Sequence, residues 1–358
     1  MAKQHFGNKL VGSIGWLLLG IIVFIGSFVL LYYSEGRTDY TDVAATAVDV
    51  EEAADSKDFV YVTRELDTPV FLGDGMFLYE DEYLVVDRTV EMYSWVEKVE
   101  TEDDEKVYTY DMQWVEEVPD SNEFKQPRGH ENLTKPIRSE KYKTDEASVG
   151  IYRIDIDEIG LPGTSPLKLN EDILMLDEYQ QIIKDDKYDY IFDGYGTYEE
   201  PEIGDLRIRY EVLEPMDEVT VFGRVADEKL GPHHGEAEKK LYRVFKGTKE
   251  DAMSVLKGEY TAAGWMGRIG GFILMWIGLM FILSPLSTAM ELIPFLSEIG
   301  KGALTMIAFV IALVLTIVAT IAFAILHNTV ALIIIIVVAA AIGYYLYTKP
   351  PKKASAKH

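Results

Sequence analysis

The sequence contains no cysteine and six histidines among its 358 residues. Without cysteine, the chain can form no disulfide, no thiolate nucleophile and no cysteine-ligated zinc site. This absence excludes three classes of chemistry, but it leaves the redox compartment of the protein open. Basic side chains are also outnumbered, since 34 lysines and arginines stand against 59 aspartates and glutamates, for a formal net charge of -25.

The acidic residues are concentrated in one part of the chain. Residues 35–262 hold 57 of the acidic and 26 of the basic side chains, a local net charge of -31, whereas the remainder is net positive by 6. An acidic surface of this kind repels the phosphate backbone of nucleic acids and anionic lipid headgroups. We therefore expect no nucleic-acid partner for this region.

Charged residues are missing from four long apolar stretches near the two ends of the chain, at residues 10–34, 269–286, 303–326 and 329–348. Each reaches or approaches the roughly 18 to 20 apolar residues that a helix needs to cross a hydrocarbon layer of about 30 Å. Buried helices of a soluble domain are the alternative, and the length of the stretches disfavours them. The sequence predicts a multi-pass α-helical membrane protein with four transmembrane helices, the second of which begins at residue 263.

The first apolar stretch could be a signal peptide, because Lys3 and Lys9 precede it as a positive n-region. Its apolar part is longer than the roughly 7 to 15 residues of a signal h-region, and no small-x-small cleavage site follows it. We predict an uncleaved signal anchor.

Lysines flank the outermost predicted helices. Two precede the first helix, and four follow the last, at Lys349, Lys352, Lys353 and Lys357. The positive-inside rule predicts that the N-terminus (1–9) and the tail (349–358) are cytoplasmic, so that residues 35–262 lie outside the cell or in a lumen. The loop at 287–302 is then cytoplasmic, and its mixture of apolar and charged residues predicts an interfacial segment.

Residues 35–262 are predicted to form one large α+β domain inserted between the first two transmembrane helices. Alternating aromatic and β-branched residues predict two β-hairpins, one from 83–99 and 107–118 and one from 205–215 and 218–230. Apolar residues at helical spacing predict a helix over 170–185 with Asn170 as its N-cap. A further helix is predicted over 248–265, leading into the membrane.

The first predicted hairpin carries five aromatic residues at period-two spacing. Tyr93 and Trp95 share a face of its first strand, and Tyr108, Tyr110 and Trp114 share a face of its second. Side chains directly opposite each other on paired strands interact. We expect aromatic cross-strand contacts that form a surface or a core of the hairpin.

One loop gathers groups that could bind a divalent metal, namely His233, His234 and Glu236. Adjacent histidines in a loop of glycine and proline are more often solvated turn residues. A stretch that resembles a calcium loop, DIDEIG, lacks oxygen ligands at two required positions, Ile159 and Pro166. We predict no metal and no cofactor.

Recognisable catalytic motifs are lacking, so we predict that the protein is not an enzyme. Asn132 begins an Asn-Leu-Thr glycosylation sequon. Within the predicted helices the deep polar residues are mostly single hydroxyls, and no Asp, Glu, Lys or His lies at mid-span, so a proton relay lacks its usual groups. A channel lined by backbone or by an oligomer stays open.

Arg268 lies close to the start of the second predicted helix. We predict that it sits at the outer end of that helix, where the guanidinium reaches the interface beside Trp265 and pairs with an acidic residue of the outer domain. Ala263, Gly267 and Gly271 recur every four residues and predict a small face for close helix packing. The general frequency of glycine in membrane helices is the alternative explanation.

Five stretches occur in an order that resembles one family: VEMYSWVEKVE (90–100), YTYDMQWVEEVPDSNEFKQPRGHEN (108–132), PEIGDLRIRYE (201–211), EVTVFGRV (218–225) and AAGWMGRIGGFILMWIGLMFILSPL (262–286). With one N-terminal and three C-terminal apolar spans, the chain resembles the LUMA family, transmembrane protein 43. The resemblance implies four spans, a large luminal domain and cytoplasmic termini. Animal members are associated with the endoplasmic reticulum and inner nuclear membrane, self-associate and bind nuclear-envelope proteins, and have no established enzymatic activity.

The leading hypothesis is a non-enzymatic integral membrane scaffold that self-associates and binds other membrane or envelope proteins through its outer domain and spans. A channel or transport component formed by the transmembrane bundle is the alternative, and a metal-dependent ectoenzyme that uses His233, His234 and Glu236 is a third. The expected membrane is the plasma membrane in a prokaryote, and the endoplasmic reticulum or inner nuclear membrane in a eukaryote.

Overall fold

The computed structural model describes residues 2–53, 58–102, 105–285, 294–330, 332–335, 337–338 and 340. They form two compact units. One unit runs from Tyr40 to Val255, and the other gathers the two ends of the chain, up to Asp39 and from Leu256 onward.

The unit from Tyr40 to Val255 is rich in β-structure. Two short helices, α2 (Tyr40–Ala45) and α3 (Glu236–Lys239), and two 3₁₀ turns, Ser121–Glu123 and Glu171–Ile173, accompany the strands. The strands are β1 (Val48–Asp49), β2 (Val60–Asp67), β3 (Val85–Glu102), β4 (Glu105–Val115), β5 (Glu140–Lys143), β6 (Ala147–Val149), β7 (Tyr152–Ile154), β8 (Ser165–Pro166), β9 (Gln180–Ile183), β10 (Tyr190–Asp193), β11 (Leu206–Leu213), β12 (Met216–Ala226), β13 (Lys229–Gly231) and β14 (Val244–Lys246).

The strands form two sheets. The first has the order β1-β2-β6-β7-β13-β12-β14, and β2 also pairs with β12, so that β2, β6, β7, β13 and β12 close into a ring. The second has the order β4-β3-β11-β10-β9, with β5 on β3 and β8 on β11. Two pairings, β1 with β2 and β7 with β13, are parallel, and the other pairings between named strands are antiparallel.

The unit has two hydrophobic cores, one formed mainly by each sheet, and Val85 of β3 and Leu213 of β11 contribute to the first. The first core includes Val62, Leu66, Val149, Val219, Val221 and Leu230. The second includes Leu78, Val86, Val90, Met92, Ile191 and Ile208. Each such side chain contributes about 1.5 to 3 kcal/mol when it is fully buried.

The first predicted hairpin is confirmed. Strands β3 and β4 pair in one continuous register from Met92 opposite Val115 to Glu102 opposite Glu105.

The second predicted hairpin is wrong, because β11 and β12 belong to different sheets. Val212 packs in the second core, whereas the next residue, Leu213, packs in the first. Pro215 then has no N–H with which to continue a ladder. The consecutive apolar residues Val212 and Leu213 therefore mark the point where the chain crosses from the second sheet to the first. The alternating pattern of β11 or of β12 taken alone does not predict this crossing.

The predicted helix over 170–185 is also wrong. Asn170 does act as an N-cap, since its Oδ1 accepts from the N–H of Asp172 (2.9 Å) and Ile173 (3.3 Å), but it caps a single 3₁₀ turn. Leu174 then forms a β-bridge with Leu78, and β9 extends the second sheet. Pairing with neighbouring strands outweighs local helical spacing here. The domain is therefore β-rich, which corrects the predicted α+β class.

The helix predicted over 248–265 is confirmed as the start of one long helix, α4 (Lys249–Ile282). Thr248 and Asp251 form a reciprocal cap, in which Asp251 Oδ2 accepts from the Thr248 N–H (2.9 Å) and Thr248 Oγ1 accepts from the Asp251 N–H (3.3 Å). This arrangement satisfies backbone donors at the helix start.

Two other long helices belong to the unit formed by the chain ends, α1 (Ala2–Glu35) and α5 (Pro294–His327). Among the described residues, three segments are long and apolar enough to cross a membrane: Gly15–Ala45, Lys249–Ile282 and Gly302–His327. The fourth predicted span, 329–348, lies largely outside the described residues. The predicted loop at 287–302 lies partly outside them as well, and from Pro294 onward it belongs to α5, since proline is compatible with a first helical position.

A charged centre that the sequence analysis missed lies in the second core. The side chain of Asp74 is 0% exposed, and that of Arg88, on the buried face of β3, is 3% exposed. Asp74 Oδ1 accepts from the N–H groups of Met76, Phe77 and Leu78, and Oδ2 accepts from Arg88 (2.9 Å) and from the hydroxyl of Tyr210 (2.5 Å). Arg88 alternates in the sequence with Val86 and Val90, which was the available signal that it is buried and paired.

Asp74→Asn is expected to destabilise the second sheet by about 3 kcal/mol, because the buried Arg88 would keep only the exposed Glu140, 3.4 Å away, as its counter-charge. Hydrogen-exchange protection of β3 and β11 in the detergent-solubilised full chain measures this loss. Tyr142→Phe is the matched control, because its hydroxyl donates to Glu140 at the surface, and it should cost less than about 0.5 kcal/mol. Equal losses in the two variants would contradict the assignment.

The same centre predicts a pH dependence. Burial raises the pKa of Asp74, but the hydrogen bonds from Tyr210, Leu78 and Arg88 outweigh burial and bring that pKa below its ordinary value. A carboxylate with a lowered pKa adds stability above its unfolded pKa and loses it as the pH falls through the folded pKa. Stability of the wild-type chain should therefore fall below about pH 4, and that of Asp74→Asn should fall less steeply.

Candidate functional site

The helical unit is built on close contact between α1 and α4, which run antiparallel. Gly264, Gly271 and Gly278 recur every seven residues of α4, and all three are buried. A Cβ atom added at Gly271 would lie 2.6 Å from the Leu31 side chain, and one at Gly278 would lie 2.7 Å from the backbone N of Phe24. A seven-residue repeat keeps one face of a helix against its partner.

Of the three residues predicted for helix packing, Gly267 and Gly271 face α1 and Ala263 does not. Gly267 faces Ser34 and Gly271 faces Leu31, both on α1. Ala263 is exposed, and its neighbour Gly264 takes the buried position against Arg37. The repeat of seven, rather than the repeat of four, describes the face that α4 turns to α1. The glycines let the two backbones approach closely, as in other membrane helix pairs.

Arg268 forms a bidentate ion pair with Glu35, the last residue of α1. Its Nε donates to Glu35 Oε1 (2.8 Å), and its second terminal nitrogen donates to Oε2 (3.0 Å). Glu35 is 5% exposed and Arg268 is 34% exposed. The predicted acidic partner of Arg268 is thus a residue at the end of the first helix. Bidentate pairing satisfies both carboxylate oxygens in fixed geometry.

Aromatic and basic groups surround this ion pair. The Arg268 guanidinium carbon lies 5.7 Å from the centre of the Trp265 ring, and Trp265 is 58% exposed. Arg37 Nε donates to the Tyr260 carbonyl (3.1 Å), and the Arg37 guanidinium lies 4.0 Å above the Tyr260 ring. Side chains of this kind have an apolar body and a polar tip, which suits a membrane interface.

Helix α5 completes the core of the helical unit. This core contains Leu31, Met275, Ala312 and Ala319, with Phe24, Phe28 and Phe323 packed against it. The Trp276 and Phe309 rings meet edge to face at 5.4 Å. The hydroxyl of Ser27 donates to the Phe24 carbonyl (2.6 Å), and that of Thr316 to the sulfur of Met275 (3.6 Å). Both hydroxyls are therefore satisfied within the bundle.

The register of β3 and β4 places all five predicted aromatic residues on one face of the hairpin. Tyr93 lies opposite Trp114, with ring centres 5.3 Å apart, and Tyr108 lies opposite Val99. The Arg207 guanidinium lies 5.0 Å from the Trp114 ring and 4.9 Å from the Tyr190 ring, while its Nε donates to Glu91 (2.7 Å). This end of the aromatic row is fixed to the sheet by a paired arginine.

The middle of the aromatic row is covered by His130. Its ring stacks on Tyr110 at 3.9 Å and meets Trp95 edge to face at 4.7 Å. The Tyr110 hydroxyl donates to Glu97 Oε2 (2.7 Å), and burial together with this hydrogen bond raises the pKa of Tyr110. His130 is a contact that the sequence analysis did not foresee, because it comes from a loop 20 residues beyond Tyr110.

Asn132, the first residue of the sequon, hydrogen-bonds to the outer edge of β3. Its Oδ1 accepts from the Trp95 N–H (2.7 Å), and its Nδ2 donates to the carbonyls of Trp95 (3.0 Å) and Pro119 (3.1 Å). The side-chain amide therefore takes the place of a neighbouring strand at this residue. Attachment of a glycan to Nδ2 would remove one of its two N–H donors and so break at least one of these bonds.

The histidines of the predicted metal set are engaged with other groups. His233 Nδ1 lies 3.1 Å from Glu238 Oε2, and His234 Nε2 accepts from Arg224 (2.8 Å). Glu236 is exposed at the start of α3. Within the described ranges, no group of three or more His, Asp or Glu side chains is arranged to hold a metal ion.

Three apolar helices of spanning length and a β-rich domain that follows the first of them define an integral membrane protein. The chain belongs to the transmembrane protein 43 family, whose model matches residues 92–328. It is 25% identical to transmembrane protein 43 of Rattus norvegicus over 354 residues, covering 89% of this chain and 86% of that protein. The Homo sapiens protein is 24% identical over 90% of this chain and 86% of its own length.

The chain is similar to an insect member of the family at about the same level of identity. The transmembrane protein 43 homolog of Drosophila melanogaster is 25% identical over 342 residues, which cover 85% of this chain and 88% of that protein. No solved structure matches the chain.

Gly278→Ala is expected to lower the free energy of unfolding by about 1 to 3 kcal/mol, because the added methyl meets the α1 backbone at Phe24, which a rotamer change cannot relieve. Thermal unfolding in detergent, followed by tryptophan fluorescence, measures the change. Gly270→Ala is the matched control, since its Cβ would lie 3.4 Å from the end of the Leu30 side chain. Destabilisation of the same size at both positions would refute a specific contact between α1 and α4.

The Glu35–Arg268 pair is expected to show a coupling energy of about 1 to 2 kcal/mol, below that of a fully buried pair because Arg268 is a third exposed. The measurement is a double-mutant cycle of Glu35→Gln, Arg268→Gln and the double variant in the same unfolding assay. If the two single losses simply add, the ion pair does not hold the two helices together.

Proposed function

We propose that the protein is a non-enzymatic membrane scaffold that self-associates and binds other membrane or envelope proteins, with its β-rich domain presenting a strand edge to them. In this proposal both termini are cytoplasmic, on the argument of the flanking lysines, and the β-rich domain lies outside the cell or in a lumen. The observation that supports the proposal is the free edge of the β3–β4 hairpin.

The hairpin extends beyond the rest of the second sheet. β11 pairs with β3 only as far as Met92, and β5 pairs only as far as Arg88. The backbone of Tyr93 still bonds to Asp205 and Gly204, on the side of β3 away from β4. At Trp95, two residues further, Asn132 takes over this role.

Beyond Trp95, every second residue of β3 directs its backbone to the same outer side. Glu97 and Val99 therefore present N–H and C=O groups that no backbone group pairs within the part of the chain that the structure describes. Unpaired edges of this kind are templates for an added strand. Apolar side chains are exposed on both strands of this hairpin, since Val99 of β3 is 50% exposed and Val107 and Met112 of β4 are exposed as well.

The described helices offer less support for the alternative of a channel. Two of their buried polar residues, Ser27 and Thr316, bond inside the bundle, and the charged pair Glu35–Arg268 is mutually satisfied. Liposome flux measurements on the purified protein would test a conducting role directly, and a protein-dependent conductance would favour it over the scaffold.

A photo-crosslinking amino acid at Val107 is expected to give covalent adducts in the host membrane, because Val107 is exposed on β4, one strand away from the free edge of β3. An adduct of twice the chain mass indicates self-association, and other masses indicate a different protein. The same substitution at Ile151, an exposed apolar residue outside the hairpin, is the control. Equal labelling at the two positions, or none at Val107, would contradict the proposal.

The edge itself can be removed without touching the β3–β4 ladder. Val99→Pro deletes an N–H that points away from β4, and Val99→Thr keeps that N–H. We expect adducts at position 107 to disappear in the proline variant and to persist in the threonine variant. Persistence in both variants would show that a partner does not bind by adding a strand to this edge of β3, which would contradict the proposal for it and leave the outer edge of β4 as the other unpaired edge of the hairpin within the described residues.

A further inference from the structure

A cavity of about 440 Å³ lies beside the β12–β13 hairpin of the β-rich domain. Five of its lining side chains carry positive charge or an imidazole ring, namely Arg224, Lys229, Lys239, His233 and His234, and one, Glu158, carries negative charge. This composition is opposite to that of the surrounding region, whose net charge is -31. Basic groups gathered in one concave site raise the local concentration of anions.

The hairpin that carries two of these groups has a strained turn. Arg224 lies opposite Gly231 in the ladder, and the connecting residues Asp227 (φ 51°) and Glu228 (φ 58°) both have left-handed backbone conformations. Such two-residue turns normally use Asn-Gly or Asp-Gly, so Asp227 suits the first position, whereas Glu228 is strained at the second. Strained backbone conformations are concentrated at binding sites, where the surrounding structure holds them in place.

The basic groups of the cavity are only partly neutralised. Lys229 lies 3.8 Å from Asp155, at the limit of an ion pair. Lys239 forms no ion pair with another described residue. Arg224 donates one N–H to His234 Nε2 (2.8 Å), and among the described residues no other hydrogen bond occupies its guanidinium, whose remaining N–H groups can bind a ligand.

The cavity is poorly suited to the metal ion considered for its histidines. Glu236 is not among its lining residues, and three permanently charged basic side chains would repel a cation. The same three basic side chains would attract an anion. Repulsion from the more distant carboxylates is screened over a Debye length of about 8 Å at physiological ionic strength.

From this charge and geometry we infer that the cavity binds an anion of the phosphate class, held by Arg224, Lys229 and Lys239. Guanidinium and ammonium groups bind phosphate oxygens through charge-assisted hydrogen bonds, and the cavity is larger than a single phosphate group. The phosphate could belong to a soluble metabolite or to a lipid headgroup.

Pyrophosphate is the probe that tests this site. Calorimetric titration of the detergent-solubilised full chain, with ionic strength held constant by sodium chloride, should give saturable binding with a Kd of about 0.1 to 1 mM. Lys239→Gln should weaken binding roughly fivefold or more, because it removes one ligating charge. Lys240→Gln, which removes the adjacent charge outside the cavity, should weaken it by less than about twofold.

Three results would overturn the inference: no saturable binding, equal weakening by Lys239→Gln and Lys240→Gln, or saturable zinc binding in the absence of any pyrophosphate binding. The source of the phosphate is decided in phosphatidylcholine nanodiscs with and without phosphatidate. Competition by phosphatidate against pyrophosphate identifies a lipid headgroup. An unchanged affinity identifies a soluble anion.

Discussion

The helical unit depends on how closely α1 and α4 can approach each other. Gly264, Gly271 and Gly278 remove side chains from the α4 face toward α1. The side chains of Arg37 and Leu31 fill the space at the first two, and the α1 backbone at Phe24 fills it at the third. Between lipid tails there is little hydrophobic driving force for helices to associate, so close van der Waals contact has to supply it. The Glu35–Arg268 pair adds a polar contact at one end of the same seam, and it is one that neither residue could provide alone.

In the β-rich unit, the corresponding constraint is the burial of charge in the core of the second sheet. A charge can be buried only if the surrounding groups satisfy it, and Asp74 meets this condition with three backbone N–H groups, Arg88 and Tyr210. The centre joins the turn before β3 to both β3 and β11, so it fixes the second sheet where the chain returns to it. At the edge of β3, the side-chain amide of Asn132 likewise satisfies backbone groups that no described strand pairs, because it bonds to both the N–H and the C=O of Trp95.

Local patterns predicted the elements whose partners are close in sequence. The β3–β4 hairpin and the helix from residue 248 follow from alternation and from helical spacing, respectively. Prediction failed where a distant strand decided the outcome. β11 and β12 are separated by a short polar link, yet they join different sheets, and the 170–185 segment pairs with strands despite its helical spacing.

The sequence alone determined the membrane class, the presence of apolar stretches long enough to span a membrane, and the family, because these depend on composition and on ordered motifs. It also predicted an acidic partner for Arg268, and it predicted small residues on the packing face of α4. Only the tertiary structure decided that the partner is Glu35, that Gly264 and not Ala263 faces α1, and that the loop histidines lie in a basic cavity. These are contacts between residues far apart in the chain, and packing of the whole unit selects them from many that local spacing allows.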